Sequence, residues 1–139
     1  MLRTKITPEE IKAEVHRFWN NFQGKAADSL TEMYSPEATV FSSVSSRVEP
    51  GHLAAARRRR EYFHAKGALR ATVTNIDVIM LSDIAAIASY NFTFNANMVM
   101  VGVGQTKEED IKRGRATHVF SLDHDGKLKI MHEHFSAVL

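Results

Sequence analysis

Apolar residues near the start of the chain recur at the three-and-four spacing of a helix, at Ile11, Val15, Phe18, Trp19 and Phe22. Thr7-Pro8-Glu9-Glu10 gives that helix its start, with Thr7 as N-cap, Pro8 at the first helical position and Glu10 placed to complete a capping box. Gly24 marks its end. A shorter helix is predicted from about Ala26 to Tyr34, showing Leu30, Met33 and Tyr34 on one side before Pro36 stops it. Ala38 to Ser42 is β-branched and aromatic enough for a strand, and the serine-rich stretch to Arg47 reads as a turn or ragged edge. Pro50-Gly51 introduces a third helix over about 52–66. Leu53, Ala56 and Phe63 define its inner face, with Arg60 on that face, Arg57 at its border and Arg58 and Arg59 pointing elsewhere.

Beyond Gly67 the period changes from helix to strand. Leu69, Ala71 and Val73 alternate on one parity and Ile76, Val78 and Met80 on the other, which calls for a β-bulge near Thr74-Asn75. Ala86, Ala88, Tyr90, Phe92, Phe94 and Ala96 then face one way while Ser89, Asn91, Thr93, Asn95 and Asn97 face the other, the signature of a half-buried antiparallel strand. Gly102 to Gly114, rich in charge and glycine, reads as a long hairpin loop with frayed strand ends. Arg115–Leu122 and Lys127–Val138 form a last hairpin turned by Asp125-Gly126. Helix, helix, strand, helix and four long strands make an α+β domain over residues 1–139, with three N-terminal helices on one face of a curved, mainly antiparallel sheet.

Composition narrows the function classes. With 44% hydrophobic and 24% charged residues among 139, the chain has the makeup of a folded globular protein rather than a disordered one. The formal charge is only +2, and the run Arg57 to Arg60 has no interleaved stacking aromatics, so no nucleic-acid partner is expected. The absence of cysteine excludes disulfides, thiol catalysis and thiolate metal sites. No stretch approaches the roughly 20 apolar residues of a membrane span and the N-terminus lacks a secretory pattern, so a cytoplasmic location without membrane contact is expected.

The chain resembles the nuclear transport factor 2-like superfamily and, within it, the SnoaL-like domains. The residues that carry the likeness are Phe18-Trp19 on the first helix, Tyr34 to Phe41 leading into the first strand, Gly51 before the third helix, and the C-terminal pair Thr117-His118-Val119-Phe120 and Lys129 to Ser136. The resemblance implies a cystatin-like, cone-shaped barrel with a pocket between helices and sheet, usually dimerised through the sheet. Known functions on this fold run from isomerase, polyketide cyclase and dehydratase to plain binding or association module, so the fold does not choose among them.

Strand parity selects the candidate site. If Leu128 and Ile130 face the core, His132, His134 and Ser136 share that face and Glu133 takes the other. Phe120 and Leu122 likewise turn His118 inward. Three imidazoles on one wall would serve as acid/base or ligand-orienting groups. Three histidines and a water are also the pattern of catalytic zinc, but no supporting carboxylate accompanies them, so neither metal nor cofactor is expected. Trp19, Tyr34, Phe41 and Tyr90 would line an apolar pocket with polar handles, and Arg60 could reach an anionic group. Ketosteroid isomerases of the resembled superfamily carry a carboxylate after the second helix and a tyrosine on the first. Thr39 to Arg47 has no acid here and the first helix no tyrosine, and parity shows no inward aspartate pair of the limonene-epoxide hydrolase kind. The leading expectation is a homodimer that binds a small molecule with an acidic or carbonyl end. Proton transfer on a carbonyl substrate, and assembly through the Asn91-Asn95-Asn97 face, are the alternatives.

Overall fold

The computed structural model describes residues 3–42, 46–63, 68–98 and 108–137, and the side chains of these except 96–98, 108–112 and 137. Helix α1 (Pro8–Gln23) starts where Thr7 accepts the Glu10 backbone N–H at 3.2 Å, and it buries Ile11, Val15, Phe18, Trp19 and Phe22. Helix α2 (Ala27–Glu32) is shorter than its apolar pattern suggests, because Tyr34 already belongs to strand β1 (Tyr34–Phe41). Strand β2 (Glu49–Pro50) leads into α3 (Gly51–Arg58). A wider π-turn follows over Arg59–Phe63, and the remainder of the expected third helix lies outside the described residues. The long strands are β3 (Leu69–Met80), β4 (Ala85–Met98), β5 (Glu108–Leu122) and β6 (Leu128–Ala137).

The strands form one curved six-stranded sheet in the order β2-β1-β6-β5-β4-β3, antiparallel except for the β1–β6 pair. The helices cover one face. Ala86, Ala88, Tyr90 and Phe94 of β4 and Ala116, His118 and Phe120 of β5 are buried against them, as the alternation predicts. The expected bulge in β3 is present: the register with β4 shifts between Thr74 and Asp77, and Asn75 takes a left-handed φ of 58°. Residues 108–114, expected in a loop, instead extend β5 against β4 from Glu108↔Met98 to Gly114↔Phe92. Their charge density suggested a loop, but the neighbouring strand offers every one of them a ladder partner. Gly114 is needed there, since a Cβ would stand 2.7 Å from the Ser136 carbonyl oxygen and 2.6 Å from Cε1 of Phe92.

A second bulge decides which side chains reach the interior. Phe120 pairs with Ile130, yet Val119 pairs with His132, so Met131 is an extra residue in β6. Side-chain parity inverts there. Ile130 faces the helices, and beyond the bulge Glu133 does, fully buried, while His132 is half-buried and His134 exposed on the uncovered face.

Candidate functional site

Six polar side chains from both layers meet under the helices. α1 contributes Trp19, β1 Tyr34, α3 Arg58, β4 Tyr90, β5 His118 and β6 Glu133, each no more than 7% exposed. Trp19 Nε1–H donates to Tyr90 Oη at 2.8 Å, and Tyr90 Oη lies 2.8 Å from His118 Nε2. On the other side Tyr34 Oη donates to Glu133 Oε1 at 2.7 Å and accepts from Arg58 Nη1 at 2.5 Å, while Arg58 Nη2 donates to Glu133 Oε2. His118 Nε2 stands 3.6 Å from Glu133 Oε1, which brings the two halves side by side without a hydrogen bond between them.

Local sequence explains the convergence. Gly51 and Ala54, buried on α3, let that helix lie close to β1; a Cβ on Gly51 would sit 3.2 Å from the Ala38 Cβ and 3.5 Å from the Tyr34 ring. Arg58 is one further turn along the same face and so points inward. Its guanidinium carbon lies 5.0 Å from the Phe135 ring centroid and 5.9 Å from that of Phe18, within cation–π range. Phe18, Phe120 and Phe135 surround the His118 ring at centroid distances of 5.0, 5.6 and 5.8 Å.

The donors and acceptors can be assigned from chemistry. An indole N–H only donates, so Tyr90 Oη accepts it; sending the phenol proton to His118 Nε2 then uses that proton, whereas an Nε2–H would leave the phenol proton without an acceptor. That leaves the imidazole proton on Nδ1, a fully buried atom with no partner among the described residues. Burial holds His118 neutral, down to about 4, with Glu133 opposing the shift and Arg58 adding to it. Burial also raises both Tyr34 and Tyr90 well above the ordinary phenol value, so both stay protonated. Arg58 stays charged: burial disfavours its cation, but Glu133 and Tyr34 together outweigh that and raise its pKa. The cluster therefore sets the Arg58 guanidinium against its Glu133 partner beside a neutral imidazole. It can orient and hydrogen-bond a molecule, but the imidazole carries no second, acidic proton to give away.

No family model matches the chain, and no curated protein matches it. Solved structures do. A candidate calcium/calmodulin dependent protein kinase II association domain from Xanthomonas campestris superposes with a TM-score of 0.77 at 18% identity, covering 99% of this chain and 92% of that one. The association domain of the C. elegans kinase II gives 0.71 at 16%, over 92% and 93%. A nuclear transport factor 2-like protein of unknown function from Pseudomonas putida gives 0.74 at 16%, over 94% and 86%.

The chain has the nuclear transport factor 2-like fold. On this nuclear transport factor 2-like frame Trp19, Tyr34, Tyr90 and His118 are brought together under the helices. Four expectations are corrected. His132 and His134 do not face the interior, because the Met131 bulge turns them to the uncovered sheet face, where His132 Nδ1 is 2.8 Å from Thr39 Oγ1. Phe41 follows them, 39% exposed and with its ring 5.9 and 5.8 Å from those two imidazoles. Arg60 is exposed, since α3 packs through its small residues and widens into the π-turn just before it. Glu133 and Arg58, placed outside by parity and by the large apolar residues, are the charged centre of the site. The signal for Glu133 was present: Ile130 and Phe135, both apolar, stand on opposite parities, the same switch that revealed the bulge in β3.

Among the described residues no three metal-ligating side chains cluster, and no helix is long and apolar enough to cross a membrane.

Proposed function

We propose that this domain binds a small molecule against the Trp19–Tyr90–His118–Glu133–Tyr34–Arg58 cluster. The observation that carries this reading is His118 Nδ1, buried and without a partner among the described residues, beside a network whose other members are paired. A buried polar group without a partner costs about 1–3 kcal/mol, and a ligand acceptor would supply the missing bond. The rings that touch Trp19 or His118 and are only half-buried are Phe92 and Phe135, which marks the side from which a ligand would enter. A fragment screen read by the His118 ring resonances in NMR tests this. Binders are expected to shift His118 and leave His134 unmoved; a screen in which nothing moves His118 removes the reading.

A second reading concerns assembly, and the uncovered sheet face favours it. Register places Ile79, Ile87, Val119 and His132 in one row across four strands, with Ile79 60% exposed and Phe41 nearby. A row of this kind suits a homodimer through the sheet, and two of the similar structures are described as association domains. Light scattering should give twice the chain mass at tens of micromolar, and Ile87→Lys should halve it. A monomeric wild type at that concentration rules the dimer out.

A further inference from the structure

We propose that Glu133 sets the ligand selectivity of the buried cluster, occupying the carboxylate position opposite Arg58 so that the site takes uncharged hydrogen-bond acceptors and rejects carboxylates. The inference rests on the ligand-binding reading above and adds which chemistry the site accepts. A guanidinium enclosed by aromatic rings is a natural receptor for a carboxylate. Here one guanidinium edge is already taken by the chain's own acid and by Tyr34, through Nη2 to Glu133 Oε2 and Nη1 to Tyr34 Oη. With Glu133 in place the cluster's charges cancel. A second carboxylate would be brought next to the first in a poorly solvated interior, where like charges repel most strongly. An ammonium ligand would meet the same penalty from Arg58.

What remains available is a donor. The Trp19 to Tyr90 to His118 chain runs in one direction and ends at the Nδ1–H, so the complementary ligand atom is an acceptor such as a carbonyl or ether oxygen. The rings of Phe18, Phe120 and Phe135 around the imidazole suit a flat, apolar body behind that oxygen. Glu133 itself would not touch the ligand's acceptor. Its part is to fill the anion position and to hold Arg58 and Tyr34 in their present places.

The test compares acetophenone, benzoate and benzylammonium, three probes of one shape and different charge, on wild type and Glu133→Gln, with the His118 ring resonances as readout. In wild type acetophenone is expected to bind at least about tenfold more tightly than either ion; in E133Q, where Arg58 loses its counterion, benzoate should overtake acetophenone. Glu133→Ala gives a second readout that does not depend on E133Q: it is expected to be destabilised, and it leaves the anion position beside Arg58 open. Acetate is small enough to stand in for the missing carboxylate, so it should raise the melting temperature of E133A and leave that of wild type unchanged. Benzoate binding wild type as tightly as acetophenone, or acetate acting equally on wild type and E133A, would overturn the selectivity role while leaving the cluster a ligand site. If none of the three probes, nor any compound in the wider screen, moves His118, the ligand reading falls and the selectivity with it.

Discussion

Replacing Glu133 by alanine is expected to cost about 3–5 kcal/mol of folding stability, the usual penalty for leaving one member of a buried ion pair behind. The carboxylate is fully buried and serves two partners, Arg58 and Tyr34, so its loss strands a guanidinium that is itself only 6% exposed. Arg58 cannot discharge, nor can it reach solvent from the inner face of α3 without unpacking Gly51 and Ala54 from β1. Chemical denaturation should show the midpoint falling with little change in slope. The companion experiment removes the whole charged half at once. Arg58→Met, Glu133→Leu and Tyr34→Phe together leave no stranded group, and volume is roughly kept. That variant should recover most of the lost stability, since buried ion pairs are often no better than well-packed apolar residues. It should also lose binding at His118. If the triple variant is as unstable as Glu133→Ala, the pair is serving the fold rather than a site.

That contrast bears on why the chain keeps such a cluster. Six polar side chains under one set of helices are costly to bury and add little that leucine and phenylalanine could not supply. Helix α3 already has a way to settle on β1 through its glycine and alanine, and α1 through Phe18 and Phe22. The polar groups come from α1, α3, β1, β4, β5 and β6 and meet under the helices, a place packing does not require to be polar.

How far the sequence discloses this site depends on which element is asked. Helix α1 and strand β4 are legible because each buries one clean face and leaves the other in water, so period alone places Trp19 and Tyr90. His118 follows from Phe120 and Leu122 by the same logic. Strand β6 breaks it, since the single inserted residue at Met131 reverses every side chain beyond it, and a parity argument begun at Leu128 carries the wrong sign by His132. Helix α3 misleads for a different reason. Its largest apolar residue, Leu53, is 51% exposed, because the close approach to β1 admits only Gly51 and Ala54. Size would have identified that face better than hydrophobicity. An arginine seven residues after the glycine, and an acid at the changed parity, then become a buried pair whose charges balance.

Acid should weaken the fold well before the carboxylates elsewhere begin to protonate, and His118 is the reason. In the unfolded chain its imidazole titrates near 6.5; in the folded protein burial lowers that to about 4, against the pull of Glu133. Between these values the unfolded state binds the proton that the native state refuses, so stability falls as pH drops from about 6.5 to about 4 and is unaffected by this group above or below that window. The full span amounts to about 3 kcal/mol, using about 1.4 kcal/mol per pKa unit. His118→Phe removes the titrating group and keeps a flat ring between Phe18 and Phe120. It leaves the Tyr90 hydroxyl without its acceptor, so the variant starts less stable at neutral pH. Its stability should nevertheless change by about 3 kcal/mol less than wild type's across the same window. The measurement is urea unfolding of both proteins at half-unit steps from pH 7 to 4. Parallel curves would show that His118 takes up its proton in the folded state, which would mean that the imidazole is in contact with water or that Glu133 holds it as a cation.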